Sequence, residues 1–389
     1  MKNQIFKLSV GSEKMLDRQK FNKNFAPRSR SFNLICCCLL LTTVVTSSCN
    51  TEDDPKTPDY SEYFKPSKGV QTGGAQLIPV KTAKGTFNVW TRRVGNNPKI
   101  KVLVLSGGPG ASSEYLECME SFFPAEGIEF IYYDQLSTGR SDNPKDTTLF
   151  DLQRCVEEVE QVRKALHLNA DNFYLYGHSW GGIAAMEYAL KYQQNLKAMI
   201  VSDMMSSADD YNRYANNVLA KQIDPDVLKE IRAIEANNDF ENPRYMELLV
   251  PHFYSKFICR IPVEEWPEPL NRAFGKINHD FYTIMQGPSE FGLRGKLTGW
   301  DIKAKLSGIN IPVLTIGAKY DTMDPEHMRW IASQVKYGSF LYCPNGSHMC
   351  FYDDQKVYFQ GLIQYIKAIN SGKKQLQLNQ SSENQIDGD

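Results

Sequence analysis

Gly177-His178-Ser179-Trp180-Gly181-Gly182 decides how the rest of this chain is read. Asn172-Phe173-Tyr174-Leu175-Tyr176 precedes it, an aromatic-rich apolar run that reads as a buried strand. Ile183 to Tyr192 follows and carries the good helix formers Ala184, Ala185, Met186, Ala189 and Leu190. A G-x-S-x-G pentapeptide between a strand and a helix is the signature of a nucleophile elbow. The turn is so tight that a β-carbon two residues either side of the serine would collide with it. Gly177 and Gly181 lack that carbon, which leaves the Ser179 hydroxyl exposed above the sheet. The helix that follows aims its free N–H groups and positive dipole end at the same spot. A glycine-rich turn with an incidental serine would read alike in isolation, but the strand and helix on the correct sides favour the elbow. The rest of the chain then has to supply a base, an acid and an oxyanion hole.

The chain has 389 residues, room for one large α/β domain with an insertion or for two modest domains. A hydrophobic share of 42% and a charged share of 23% are ordinary for a soluble globule with a sizeable core. A net charge of −1 offers no electrostatic reason to expect nucleic acid as a partner. Of nine cysteines, Cys36, Cys37, Cys38 and Cys49 lie in the N-terminal segment. Cys118, Cys155, Cys259, Cys343 and Cys350 are scattered and form no C-x-x-C pair, so neither a disulfide framework nor a zinc site is read. Cys343 and Cys350 could approach one another, but buried free thiols are the preferred reading.

Residues 1–31 are polar and basic, and Phe32 to Val45 is almost wholly apolar and uncharged. That run is short for a membrane span and right for the apolar region of a signal peptide. It ends in Thr46-Ser47-Ser48-Cys49, followed by the polar Asn50-Thr51-Glu52-Asp53-Asp54. The pattern resembles a bacterial lipobox, in which Cys49 becomes the lipidated first residue. Thr46 departs from the aliphatic residue usual there, and a start at Met15 would shorten the long basic region. An uncleaved anchor or a plain secretory signal are the alternatives. Residues 1–48 are thus expected to be a lipoprotein signal peptide and 49–68 a tether. The expected product is an exported bacterial lipoprotein, membrane-anchored and facing the periplasm or the cell surface.

From Gly69 the pattern is that of an α/β fold, a mostly parallel sheet with helices on both faces. Gln76 to Val80 and Thr86 to Val94 alternate as antiparallel strands with one wet face do. Lys101 to Leu105, Ile128 to Tyr133 and Ala198 to Val201 read as further strands. Leu149 to Leu166 has helical spacing, with Leu152, Val156, Val159, Val162 and Leu166 on one stripe and Glu157 and Glu158 off it. Residues 209–295 break the rhythm, rich in charge and aromatics, and read as an inserted helical cap. Strands return at Ile311 to Gly317 and Ser339 to Tyr342, and Tyr352 to Ile369 closes the fold as an amphipathic helix. The core is therefore assigned to 69–208 and 296–369. Residues 370–389, rich in Gln, Asn and Ser, are expected to be a disordered tail.

In an α/β-hydrolase sheet the triad follows the order Ser, Asp or Glu, His, each on a loop after a strand. Asp321 is the first carboxylate after the strand ending at Gly317. Asp324 competes, but it precedes Pro325 at a helix start and reads as an N-cap. Of six histidines, only His348 lies in a loop after a late strand. His178 adjoins the nucleophile, yet the elbow turns its side chain away, so a structural role is read. His348 would act as base and then acid, and Asp321 would orient it. The oxyanion hole is read as the backbone N–H groups of Trp180 and Gly108, the latter in Ser106-Gly107-Gly108-Pro109-Gly110. No metal-ligand cluster or nucleotide loop appears, so no cofactor and no metal are expected.

Ser106 to Gly110, Asp134-Gln135 with Gly139 and Ser141, Gly177 to Gly182, Gly287-Pro288-Ser289-Glu290-Phe291, Trp300-Asp301-Ile302 and Gly346-Ser347-His348-Met349 together resemble the proline iminopeptidases. The resemblance covers about residues 75 to 368. It implies an α/β-hydrolase that cleaves an N-terminal residue, preferentially proline, from peptides with a free N-terminus. It further implies that Glu290 binds the substrate's α-ammonium group. Two residues depart from the family pattern: Ser106 stands where histidine is usual, and Thr322 where a second ammonium-binding glutamate is frequent. The pyrrolidine pocket should be aromatic, with Trp180 bordering it and Phe281, Tyr282 and Phe291 as candidates. The competing readings are a broader amidase or esterase of the same fold, which Thr322 favours and Glu290 opposes, and a non-catalytic peptide-binding lipoprotein. Hydrolases with an aspartate nucleophile are excluded by Ser179. Oligomeric state is not legible.

Overall fold

The computed structural model describes residues 74–378. The leader, Cys49, the tether and the last part of the tail lie outside the described residues. Eight strands form one sheet in the order β1-β2-β4-β3-β5-β6-β7-β8. They are β1 (Ala75–Thr82), β2 (Gly85–Val94), β3 (Lys101–Leu105), β4 (Glu129–Asp134), β5 (Phe173–His178), β6 (Ala198–Ser202), β7 (Pro312–Ala318) and β8 (Tyr337–Cys343). β2 pairs antiparallel with β1 and β4, and the remaining pairs are parallel. The one-wet-face alternation of β1 and the continuous burial of β4, β5 and β6 follow from those positions at the edge and centre.

Helix α1 (Leu152–Ala165) begins at Asp151, whose side chain accepts from Arg154 N. It buries Val156, Val159 and Val162, and it packs on α2 (Trp180–Tyr192), the helix after the elbow. Glu158 departs from expectation. It is buried, accepts from Leu136 N at 2.9 Å and pairs with Tyr133 and Arg154. A carboxylate on the apolar side of α1 is tolerated because those donors replace its water.

Between β6 and β7 the chain is helical, with α3 (Ala208–Tyr214), α4 (Pro225–Ala236), α5 (Pro243–Leu249), α6 (Glu268–Phe274) and α7 (His279–Met285). The neck of this insertion is closed by Ala208 N to Trp300 O at 2.8 Å and Ile302 N to Ser206 O at 3.0 Å, so it returns to the sheet at Trp300. Helix α8 (Pro325–Gln334), capped by Asp324, packs on β7 and β8, and α9 (Gln355–Asn370) on β8. The expected closing helix is divided: a short turn over Cys350–Asp353 precedes α9, with Asp354 between them at φ −132°. The order also extends past 370. Gln375 Nε2 donates to Gly338 O at 2.6 Å, Leu376 N to Ser339 Oγ at 2.9 Å, and Leu378 is buried. Gln375 and Leu376 thereby bond to β8, the last strand of the sheet.

Candidate active site

The elbow has the strained backbone its sequence requires. Ser179 sits at φ 55°, ψ −126° between the end of β5 and the start of α2. A β-carbon on Gly177 would lie 2.1 Å from Gly181 O, and one on Gly181 would lie 2.3 Å from Leu105 O. The turn is pinned by Ser179 N donating to Ser202 O at 3.0 Å and Gly182 N to Ser179 O at 2.7 Å. Ser179, Gly107, Gly108, His348 and Glu290 line one cavity. The amides of Gly108 and Trp180 donate to no backbone acceptor among the described residues.

The loops after β7 and β8 are laced together by Lys319 N to Cys343 O at 3.1 Å and Tyr320 N to Gly346 O at 2.9 Å. That lacing brings Asp321 and His348 together: His348 Nδ1 donates to Asp321 Oδ1 at 2.7 Å, and both are buried. The insertion grips the same loop, with His348 N donating to Phe257 O at 2.9 Å and Met349 N to Ile258 O at 2.8 Å. Burial alone would lower the pKa of His348, but the charge and hydrogen bond of Asp321, with the charge of Glu290, outweigh it and raise the value. His348 is therefore a stronger base than a free imidazole.

Thr322 is not part of the cavity lining. Its hydroxyl lies 3.2 Å from Asp321 Oδ1 and 3.3 Å from His348 Nδ1, and it is fully buried. Ser106 closes the glycine loop, its Oγ donating to Ala111 O at 2.9 Å. Gly107 N donates to Tyr115 Oη at 2.6 Å, and Tyr115 Oη lies 3.0 Å from His178 Nδ1. His178 Nε2 lies 2.9 Å from His348 O. Burial and the neighbouring His348 push the pKa of His178 well below its ordinary value. A neutral His178 with its proton on Nε2 satisfies the whole chain, with Tyr115 donating to Nδ1 and Nε2 donating to the His348 carbonyl. It thereby ties the glycine loop to the backbone of His348.

Glu290 is held by tyrosines from three segments of the insertion. Tyr282 Oη donates to Glu290 Oε1 at 2.7 Å, Tyr211 Oη to Glu290 O at 2.7 Å, and Glu290 N donates to Tyr254 Oη at 3.3 Å. Oε2 receives no hydrogen bond among the described residues. Burial raises the pKa of Glu290, partly offset by His348 and by the Tyr282 hydroxyl.

None of Trp180, Phe281, Tyr282 and Phe291 is in the lining of the cavity that holds Ser179. Trp180 turns its indole to Gln135 Oε1 at 3.0 Å, Phe281 stacks on Phe150 at 4.6 Å, and Phe291 packs on Phe253 at 4.6 Å. The apolar lining of that cavity includes Ile258, Phe274, Ile277 and Met349, beside Ala111 and Tyr115. These residues carry no motif, and only the fold brings them together.

A family model described as the alpha/beta hydrolase fold matches residues 101–355. Together with the elbow and the His348–Asp321 pair, this makes the molecule a hydrolase of the α/β-hydrolase class. A proline iminopeptidase of Chitinophaga pinensis is 57% identical over 295 residues, covering 76% of this chain and 99% of that protein. One of Flavobacterium johnsoniae is 59% identical over 297 residues, with the same coverage of 76% and 99%. The crystal structure of VinJ superposes with a TM-score of 0.70 at 25% identity, over 76% of this chain and 99% of that one. The chain belongs to the proline iminopeptidase family.

Proposed function

We propose that this chain is a serine aminopeptidase that releases an N-terminal residue, preferentially proline, from peptides. The observation that carries the reading is Glu290, a carboxylate with one oxygen free in the wall of the cavity that also holds Ser179 and His348. A fixed carboxylate beside a nucleophile selects a substrate with a cationic N-terminus and measures off one residue from it.

In this reading Ser179 Oγ attacks the carbonyl of the first residue while His348 Nε2 takes its proton. The tetrahedral oxyanion is met by the amides of Gly108 and Trp180; loss of such a donor costs on the order of a hundredfold in rate. His348 then protonates the leaving amine, the acyl group stays on Ser179, and a water activated by the same imidazole releases it. Asp321 holds the Nδ1–H tautomer and balances the imidazolium charge. Thr322, turned toward the triad, leaves Glu290 as the one carboxylate in the cavity lining among the described residues. That supports a second reading in which the acyl group accepted is broader.

Hydrolysis of L-proline β-naphthylamide against its N-acetylated form tests both. Rapid cleavage of the free amine alone is expected. Equal cleavage of the two would sink the aminopeptidase reading and leave the broader hydrolase. We further propose export as a lipoprotein anchored through Cys49, on the strength of the apolar run and the small residues before it. The expected result is partition into the detergent phase, lost in Cys49→Ala; an unchanged partition in that variant would remove the proposal.

A further inference from the structure

Behind Asp321 lies a second carboxyl group that the chemistry above does not use. Asp203 is the first residue after β6, fully buried, at φ 53° in the left-handed region. Its backbone N–H donates to Ile316 O of β7 at 2.9 Å, which fixes it beside the strand that leads to Asp321. One of its oxygens, Oδ2, is well served, receiving Ser202 Oγ at 2.6 Å and Cys350 Sγ at 3.2 Å. Its Oδ1 has no partner, and neither has Oδ2 of Asp321; both atoms are buried. The two carboxyl groups follow β6 and β7, strands paired side by side, and they interact across the strand ends.

Two interacting buried carboxyl groups, each with an orphaned oxygen, pose a contradiction that one proton removes. Two buried carboxylates in contact cannot both ionise, whereas a carboxylic acid donating to a carboxylate satisfies both oxygens at once. The proton belongs on Asp203. Asp321 already accepts from His348 Nδ1 and from the Thr322 hydroxyl, both on Oδ1. Asp203 is surrounded by Ser202, Cys343, Cys350 and Asp321, with the Tyr358 hydroxyl on Ser202 at 3.0 Å. No basic side chain among the described residues is its hydrogen-bond or ion-pair partner. Burial first, and then the charge of Asp321, push its pKa well above the usual carboxylate range.

We propose that Asp203 is a neutral carboxylic acid in the working enzyme and donates its O–H to Asp321 Oδ2, as a positioning residue for the triad. The pair holds one proton throughout, and none is transferred between substrate and Asp203. With Oδ2 tethered, Asp321 cannot rotate its Oδ1 away from the imidazole, and its charge is spread over a second donor. This inference rests on the reading of Asp321 as the acid of the triad.

The test is the pH dependence of kcat/KM on L-proline β-naphthylamide for Asp203→Ala and Asp203→Asn, with an infrared difference spectrum between wild type and Asp203→Asn. Alanine orphans Asp321 Oδ2, and kcat/KM should fall roughly 10- to 100-fold, as for a buried charged acceptor that loses its donor. Its acid limb should move to higher pH, because an Asp321 with fewer donors holds the His348 proton more tightly. Asparagine keeps a neutral donor of the same shape, and should restore kcat/KM to within about threefold of wild type with the acid limb in place. The difference spectrum at neutral pH should contain a protonated-carboxyl C=O band contributed by the wild type. If Asp203 is ionised instead, Asp203→Asn removes a negative charge near His348, its acid limb moves to lower pH, and the band is absent; that outcome overturns the proposal. An Asp203→Ala enzyme with the wild-type rate and limb overturns it as well. An Asp321→Ala enzyme with wild-type activity would remove the triad reading itself, and the proposal with it; an inactive one leaves the Asp203 variants as the deciding result.

Discussion

Asp321 and Glu290 both raise the pKa of His348, yet one is held by the sheet and the other by the insertion. Asp321 follows β7, and its loop is bound through backbone hydrogen bonds to the loop that carries His348. Glu290 is set by the side chains of Tyr211, Tyr254 and Tyr282, which come from separate parts of the insertion. The first arrangement is rigid because strand ends and main-chain pairs define it. The second depends on three phenols keeping their rotamers. Under the proposed function the division separates bond-breaking from choice of substrate: the sheet would supply a general acyl-transfer device, and the insertion the carboxylate that reads an amino terminus.

The largest effect belongs to the sheet end. Ser179→Ala should lower kcat/KM on L-proline β-naphthylamide by a factor on the order of 10⁴ or more. A residual rate near wild type would mean that the elbow is not the reacting centre. Glu290→Gln should separate the two regions. Its kcat/KM for the free amine should drop on the order of a hundredfold, as for the loss of a partly buried charge partner, while labelling of Ser179 by a neutral fluorophosphonate persists. The same variant should alter the pH profile. His348 must be neutral to act, so activity is lost as pH falls through its raised pKa; without the Glu290 charge that pKa drops and the acid limb moves to lower pH. An unmoved limb would show that the two ends are electrically independent. The smallest effect is Tyr282→Phe. It removes one hydrogen bond to Glu290, about 1.5 kcal/mol, and should raise KM by about tenfold with little change in kcat. Equal losses in KM and kcat would place Tyr282 in the chemical step instead.

The same division governs how much of the molecule is legible in its sequence. The elbow is legible because its backbone tolerates only glycine at Gly177 and Gly181, where a β-carbon meets a carbonyl oxygen at 2.1 and 2.3 Å. Asp321 and His348 are legible as positions, since each follows a late strand, and the fold brings their side chains together. Glu290 is reached only through the resemblance carried by its motif, and the tyrosines that hold it are not reached at all. Tyr282 reads as a wall for the pyrrolidine ring, but its hydroxyl belongs to Glu290. The apolar wall of Ile258, Phe274, Ile277 and Met349 is invisible in the sequence because the insertion and the loop after β8 meet only in the fold to assemble it. Asp203 escapes for a different reason. A lone aspartate after a strand carries no signal until it and Asp321 are each found buried with an unpartnered oxygen.

The grip of Phe257 and Ile258 on the backbone of His348 and Met349 bears on how such enzymes can be rebuilt. An insertion that merely roofed the cavity could be exchanged for another, as one changes a tool on a common handle. Here two of its carbonyls are part of the mounting of the catalytic base. Chimeras that trade the insertion for a foreign one will need to retain that two-residue seam, or they will exchange specificity and lose the base's alignment in the same stroke.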